Sequence, residues 1–160
     1  MWVRILDQVG QDLTERVLKD SWCQKNKIKT GTHYMFAWLS ELVKGKRVPV
    51  LYLQGDQMTG KSTFVRLVEG LIEQDSVRAS DVFRKATMFN SNLVGTRLME
   101  VEYLDPKEID QRLVKDYLTS EVLNIHTKGA EASTCENKLN FIQMSGRPMT
   151  GWDSKRLVVS

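Results

Sequence analysis

The middle of the chain reads VPVLYLQGDQMTGKST over residues 48–63. Its first six residues are almost all apolar, which predicts a buried strand. A turn bounded by Gly55 and Gly60 follows, and it ends in Lys61 and Ser62. The spacing G-x-x-x-x-G-K-S, placed after a strand and before a helix, is the pattern of a P-loop, in which backbone N–H groups cradle phosphate oxygens.

The helix expected after this turn has one apolar face. Its apolar residues recur at helical spacing: Phe64, Leu67, Val68, Leu71 and Ile72. The start of such a helix adds partial positive charge where phosphates would sit. An ordinary strand-to-helix turn that happens to fit the pattern is the alternative, and the flanking context disfavours it.

The residue types in the turn suit phosphate chemistry. Lys61 can reach the terminal phosphates as a point charge, and the hydroxyl of Ser62 is placed to hold Mg²⁺. We therefore predict ATP and Mg²⁺ as cofactors. The predicted binding residues are contiguous: Gly55, Asp56, Gln57, Met58, Thr59, Gly60, Lys61, Ser62 and Thr63.

Composition narrows the class of protein. The chain has 160 residues, of which 41% are hydrophobic, enough for one domain with a core. The net charge of +3 is mild, and its basic clusters at 25–29 and 44–47 fit a solvated surface as well as nucleic-acid contact. Two cysteines and two histidines have no zinc-site spacing. Neither a membrane span nor a signal peptide is evident, so we expect no membrane partner and a location in the host cell cytoplasm or nucleoid.

Strands and helices are expected in rough alternation. Further strands are predicted at 98–103, 121–125, 139–144 and 156–159. Helices are predicted at 34–43, after the turn, and from Asp105, where Pro106 and Glu108 complete a capping box. This order predicts a three-layer α/β/α P-loop NTPase core with a parallel central sheet over 34–160. A short helical N-terminal segment over 1–33 precedes it.

ATP hydrolysis requires an acid near the metal and the attacking water. Such an acid usually ends a strand adjacent to the P-loop strand. The strand at 98–103 offers Glu100 and Glu102, which alternation puts on the same side. Glu102 is nearer the carboxyl edge and is the preferred catalytic acid and Mg²⁺ ligand, with Glu100 as the alternative. The alternative is that Glu100 and Glu102 are both exposed on an edge strand, in which case neither is the catalytic acid.

Two further residues are candidates for catalysis. Ser145 directly follows the predicted strand 139–144, where a residue that senses the γ-phosphate would lie, with Gln143 behind it. Arg156 opens the last strand and is a candidate arginine finger for the nucleotide of a neighbouring subunit. The alternative for Ser145 is that a buried strand simply runs into a turn there. The alternative for Arg156 is a surface cation at the start of a strand.

These pieces, in this order, resemble the core of superfamily 3 helicases, above all the helicase domains fused to primases in phages, plasmids and related mobile elements. The resemblance covers roughly residues 34–159. The stretches that carry it are YMFAWLSELV at 34–43, VPVLYLQG at 48–55, FNSNLVG at 89–95, LVKDYLT at 113–119, IHTKG at 125–129 and KRLVV at 155–159.

The resemblance implies an AAA+-type ATPase that assembles as a homo-hexameric ring, with ATP between subunits. Hydrolysis would move hairpins along single-stranded DNA during replication, with a primase or origin-binding protein as a further partner. His126 and Lys128 match the DNA-contacting turn, Glu102 the catalytic acid, and Arg156 the arginine finger. A positive turn that contacts phosphates without reading bases suits a motor.

The sequence departs from the family pattern at three places. Glu102 stands alone where the family has two adjacent acids, and Ser145 stands where the family has Asn. The helical segment that commonly follows Arg156 is missing, so we expect a core truncated at its C-terminus. The alternative functions are a nucleotide- and DNA-binding module without turnover, a superfamily 3 RNA helicase, and a small P-loop kinase, for which no lid is evident.

Overall fold

The computed structural model describes residues 1–84, 89–102, 107 and 110–144, together with the backbone of a strand at 156–159. The described helices are α1 Trp2–Gly10, α2 Thr14–Lys19, α3 Ser21–Lys25, α4 Gly31–Val43, α5 Lys61–Ile72, α6 Ala79–Phe83 and α7 Gln111–Thr119. The described strands are β1 Val50–Leu53, β2 Val77–Arg78, β3 Leu98–Val101, β4 Val122–Ile125, β5 Ser133–Glu136, β6 Asn140–Gln143 and β7 Arg156–Val159. Short 3-10 turns lie at Gln11–Leu13 and Ser91–Leu93.

Five strands form a parallel sheet in the order β2-β3-β6-β1-β7. The four residues of β1 and the four of β6 are all buried, as expected for inner strands of a parallel sheet that is covered on both faces. The predicted α/β fold with a parallel central sheet is therefore confirmed.

Two apolar clusters cover the two faces of the sheet. Leu51 and Ile142 belong to a cluster with side chains of α1, α4 and α5. Their chain neighbours Val50 and Phe141 belong to a cluster with side chains of α6, α7 and the β4–β5 hairpin. Since successive strand residues point to opposite faces, the sheet lies between two covering layers.

Several elements differ from the sequence-based expectations. The elements β2, α6 and β5 were not predicted, because each has five residues or fewer and too short a pattern to show a period. Helix α7 begins at Gln111 rather than at Pro106, since Asp110 has an extended backbone and its carboxylate accepts from the amides of Arg112 and Leu113. The proposed capping box falls on residues outside the described part of the chain. Among the described residues, no helix combines the length and apolar composition that crossing a bilayer requires.

The N-terminal helix is held against α4 by a contact between two glycines. A Cβ atom added to Gly31 would lie 1.8 Å from the carbonyl oxygen of Gly10. The Oγ1 atom of Thr32 also donates to the carboxylate of Asp7 at 2.8 Å. Helix α1 thus packs so closely on the start of α4 that neither position tolerates a side chain.

We predict that Gly31→Ala lowers the free energy of unfolding by at least about 2 kcal/mol, because a methyl group must displace backbone atoms. Gly70 in α5 is the matched control: it is exposed, and a Cβ atom there meets nothing within 4 Å. Gly70→Ala should stabilise the protein by about 0.5–1 kcal/mol. Urea denaturation of both variants measures this, and equal effects would refute the close approach.

Candidate functional site

The turn at residues 54–60 leaves β1 at the carboxyl edge of the sheet and leads into α5. Gly60 has φ +91°, in the left-handed region that favours glycine, and directly precedes the helix. Met58 also has a positive φ, and its side chain is fully exposed. The backbone therefore curls back on itself between strand and helix, as the sequence pattern predicts.

The side chain of Lys61 folds over this turn. Its Nζ atom donates to the carbonyl oxygens of Gly55 at 2.7 Å and of Asp56 at 2.6 Å. It also lies 3.2 Å from the hydroxyl of Thr59, which itself donates to the Asp56 carbonyl at 2.8 Å. One ammonium group thus sits inside the curve of the turn, where it attracts an anion.

The N-terminus of α5 opens towards the same space. Gly60 provides no side-chain cap, and the first turn of the helix contains no acidic residue. The first intrahelical bond runs from the amide of Phe64 to the carbonyl of Gly60 at 2.9 Å. The preceding amides, on Lys61, Ser62 and Thr63, lack an acceptor within the helix. Helix-start amides without an acceptor in the helix, beside an ammonium group, form an anion-binding arrangement.

A cleft of about 400 Å³ extends from the turn. This volume lies within the range of small-ligand sites. Its walls come from the turn and from two helices. The residues from α5 and the N-terminal segment are Lys61, Thr63, Phe64, Leu67, Ile5, Gln8, Val9 and Gln11. The contribution of α1 was not anticipated, because no local pattern shows which helix will pack beside the turn.

The two candidate acids have different surroundings. Glu102 is exposed just beyond the carboxyl end of β3. Glu100 is partly buried, and an oxygen of its carboxylate lies 3.3 Å from the hydroxyl of Ser76, which also lies 2.5 Å from a carboxylate oxygen of Glu69 in α5. Burial, and next the charge of Glu102, raise the pKa of Glu100. Glu102 is therefore the acid available at the strand edge.

The strand that carries these acids is not adjacent to β1, and the expectation that it would be is wrong. Strand β6 lies between them, with Gln143 opposite both Tyr52 of β1 and Val101 of β3. Two strand spacings separate β1 from β3 by about 9–10 Å. The carboxyl edge thus presents the turn, the end of β6 and Glu102 in a row, and Gln143 is buried at its centre.

The structure says less about the candidates Ser145 and Arg156. Ser145 lies outside the described residues, and only the backbone of Arg156 is described. The backbone of Arg156 pairs with Val50 at the amino end of β1. A four-residue strand advances about 10 Å from its first residue to its last. Arg156 therefore opens its strand at the sheet edge opposite the turn of its own chain.

The β4–β5 hairpin presents the loop at residues 126–132, all of which are exposed. Asn90 anchors the base of this loop. Its side-chain oxygen accepts from the amide of His126 at 2.7 Å, and its side-chain nitrogen lies 2.6 Å from the hydroxyl of Tyr117 and 2.9 Å from the carbonyl of Asn124. The stretch FNSNLVG at 89–95 contributes to the family resemblance, but its sequence predicts no role for Asn90. Lys128 lies within the exposed loop.

The described residues contain no group of three or more His, Cys, Asp or Glu side chains that could hold a metal ion. Ser62 and Glu102 are single oxygen donors on separate elements. Mg²⁺ is commonly held by one or two protein ligands together with substrate phosphates and water. The donor set is therefore compatible with a metal that arrives with a phosphorylated ligand.

Comparison with known structures supports the fold. The chain is similar to the A-form apo structure of the NrS-1 C-terminal region, with a TM-score of 0.66 and 18% identity over 99% of this chain and 37% of that one. A second A-form apo structure of this region has a TM-score of 0.67 and 18% identity, over 99% of this chain and 36% of that one. A further apo structure of the NrS-1 C-terminal region has a TM-score of 0.62 and 19% identity, over 92% of this chain and 38% of that one. The chain thus spans little more than a third of these relatives, and identities this low establish the fold alone.

Comparison with sequence families adds one match. No curated protein matches the chain. A family model described as a family of unknown function (DUF5906) matches residues 53–156, from the last residue of β1 to the first residue of β7. Because this match spans well over half of the chain, the protein belongs to that family.

Proposed function

We propose that the protein is the ATP-hydrolysing core of a superfamily 3 DNA helicase, of AAA+-type P-loop architecture, that serves replication of a phage, plasmid or other mobile element. The observation that carries the proposal is the ammonium group of Lys61 inside the 54–60 turn, beside the uncapped start of α5. A triphosphate would replace the carbonyl oxygens as the partner of this ammonium group. The helix-start amides would bind the remaining phosphate oxygens.

The residues at the carboxyl edge suit hydrolysis of that triphosphate. Mg²⁺ would be held by the hydroxyl of Ser62 and by Glu102, and would supply charge neutralisation at the phosphates. Glu102 would also orient the attacking water. Gln143 ends the strand between the turn and Glu102, and Ser145 follows it in the sequence. We assign Ser145 the role of a group that senses the γ-phosphate.

The single-stranded DNA partner and the ring are further parts of the proposal. The exposed 126–132 loop carries His126 and Lys128, which suit contact with DNA phosphates. Because Arg156 opens β7 at the edge opposite its own turn, it suits a finger for a neighbouring subunit better than a residue of its own site. A homo-hexameric ring would supply that neighbour, and a primase or origin-binding protein would load it. The cytoplasm or nucleoid of the host cell is the corresponding location.

A binding module without turnover is the second candidate. It is favoured by the single acid at Glu102 and by Ser145 in place of the usual Asn. Such a module would bind ATP and nucleic acid but release no phosphate. A superfamily 3 RNA helicase would differ in being stimulated by RNA rather than by DNA.

Substitution of Lys61 tests the proposal directly. We predict that the unchanged protein hydrolyses ATP faster when single-stranded DNA is added, and that Lys61→Ala lowers the rate at least about a hundredfold, because a preorganised phosphate contact is lost. Arg66→Ala is the matched control, since it removes an exposed cation from the same helix outside the cleft. Phosphate release measures the rate with DNA, with RNA and without either.

Hydrolysis by Lys61→Ala at the parent rate would contradict the proposed site. Nucleotide binding without phosphate release in the unchanged protein would favour the binding module. Stimulation by RNA alone would favour the RNA helicase.

The two acids can be separated by amide substitutions. We expect Glu102→Gln to bind ATP and to hydrolyse it at least about a hundredfold more slowly, whereas Glu100→Gln keeps the parent rate. Glu100→Gln should instead raise the unfolding midpoint at pH 8. The reason is that a raised pKa in the folded state makes the ionised carboxylate unfavourable there. This gain should shrink as the pH falls through the raised pKa of Glu100, because the parent carboxyl then becomes protonated. The opposite assignment of the rate loss would make Glu100 the catalytic acid.

The role of the hairpin loop is tested by salt dependence. We predict that Lys128→Ala weakens binding to an oligothymidine and lowers the slope of log K against log salt by about 0.7, since one phosphate contact is lost. Lys44→Ala is the control, because the Lys44 ammonium already pairs with Glu41 at 2.8 Å. Fluorescence anisotropy at several salt concentrations gives the slopes, and an unchanged slope in Lys128→Ala would remove this residue from the interface.

A further inference from the structure

We propose that the N-terminal helix α1 forms a nucleobase subsite, in which Ile5 and Val9 cover one face of a purine ring, Leu67 of α5 covers the other, and the amides of Gln8 and Gln11 contact its edge. This inference rests on the proposed function, because it assumes that the 54–60 turn holds the phosphates. It adds a specificity-determining role for the segment that precedes the matched family region.

The direction of the cleft supports this assignment. Lys61 and the start of α5 mark the phosphate end. From there the lining residues advance along α5 from Thr63 to Leu67, a rise of about 6 Å. Residues of α1 line the same cleft. A nucleotide with its phosphates on the turn would therefore direct its base between the side of α5 and α1.

The walls of this part of the cleft suit a flat aromatic ring. Ile5 and Val9 are partly buried and pack against the core cluster, and Leu67 is half-buried across the cleft. These aliphatic surfaces can flank the two faces of a base. Burial of the ring between them removes apolar surface from water, which favours binding.

The two glutamines supply the polar contacts. Gln8 and Gln11 line the cleft and are exposed, so that their amides are accessible to a ligand. A carboxamide both donates and accepts hydrogen bonds. The edge of adenine presents an amino donor beside a ring-nitrogen acceptor, which a glutamine amide matches with two bonds. A rotated amide can also match guanine, so the subsite is expected to accept both purines.

The subsite is a fixed wall rather than a movable lid. The backbone contact between Gly10 and Gly31 fixes the end of α1, and the hydrogen bond from Thr32 to Asp7 fixes its middle. Gln8 and Val9 lie between these two anchors. The backbone that carries Gln8 and Val9 is therefore held in place before a nucleotide arrives.

The test compares ATP, GTP and inorganic tripolyphosphate, each with Mg²⁺, by calorimetric titration of the full chain. The variants are Gln8→Glu and Gln11→Glu, whose carboxylates can only accept hydrogen bonds. A carboxylate disfavours adenine but matches the adjacent N–H donors of guanine. Arg4→Ala is the control, because it changes the net charge by the same amount on an exposed residue of α1 outside the cleft.

We expect the unchanged protein to bind ATP more tightly than tripolyphosphate. In at least one glutamate variant, the affinity ratio of ATP to GTP should fall about tenfold, the effect of one hydrogen bond, and the Arg4→Ala ratio should not change. The ratio cancels any general repulsion of phosphate by the added charge. If ATP binds with dependence on Lys61 but neither glutamate variant alters the ratio, the base subsite is refuted and the proposed function survives. If the folded parent protein binds neither ATP nor tripolyphosphate, the proposed function falls and the subsite falls with it.

Discussion

The bonds from the ammonium group of Lys61 to the carbonyls of Gly55 and Asp56 are the interaction on which the candidate site depends. They close the turn after β1 around a positive charge. The left-handed backbone of Gly60 then starts α5 without a side-chain cap. The Lys61 ammonium group, the amides at the start of α5 and the cleft thus lie together at the carboxyl edge of the sheet. Phosphate binding is the chemistry that this combination serves best.

The order of strands determines what else can reach this point. Because β6 lies between β1 and β3, Glu102 is about 9–10 Å to the side of the turn rather than next to it. In the proposed function, phosphates, a metal and water would bridge this distance between the acid and Lys61. The same order puts the buried Gln143 in the middle of the row. The ends of three neighbouring strands therefore carry polar groups at one edge of the sheet, although Gln54 and Gln143 are 89 residues apart in sequence.

Local sequence signals predicted part of this arrangement. The apolar run at β1 and the glycine-bounded turn follow from spacing alone, and the parallel sheet follows from the alternation of elements. The predicted face of α5 is only partly right, because Leu71 is exposed and Val65, which was not predicted, is buried. Features that depend on distant partners were missed. The amide of Asn90 joins α7 to the hairpin, and Gln8 lines a cleft that begins more than 40 residues away. The start of α7 was placed too early, because Asp105 and Asp110 are both good caps and only the fold selects between them. The role of Ser145 as a sensor of the γ-phosphate stays a prediction, and so does the role of Arg156 as an arginine finger.

The central claim is that the Lys61 turn binds the phosphates of ATP, and amide NMR tests it most directly. Magnesium and a non-hydrolysable ATP analogue would be titrated into ¹⁵N-labelled protein, and backbone amide shifts would be followed at each residue. The account predicts the largest shifts at Gly60, Lys61, Ser62 and Thr63, with smaller shifts along α1. Unchanged amides at these four positions in a well-folded sample, at millimolar analogue, would contradict it.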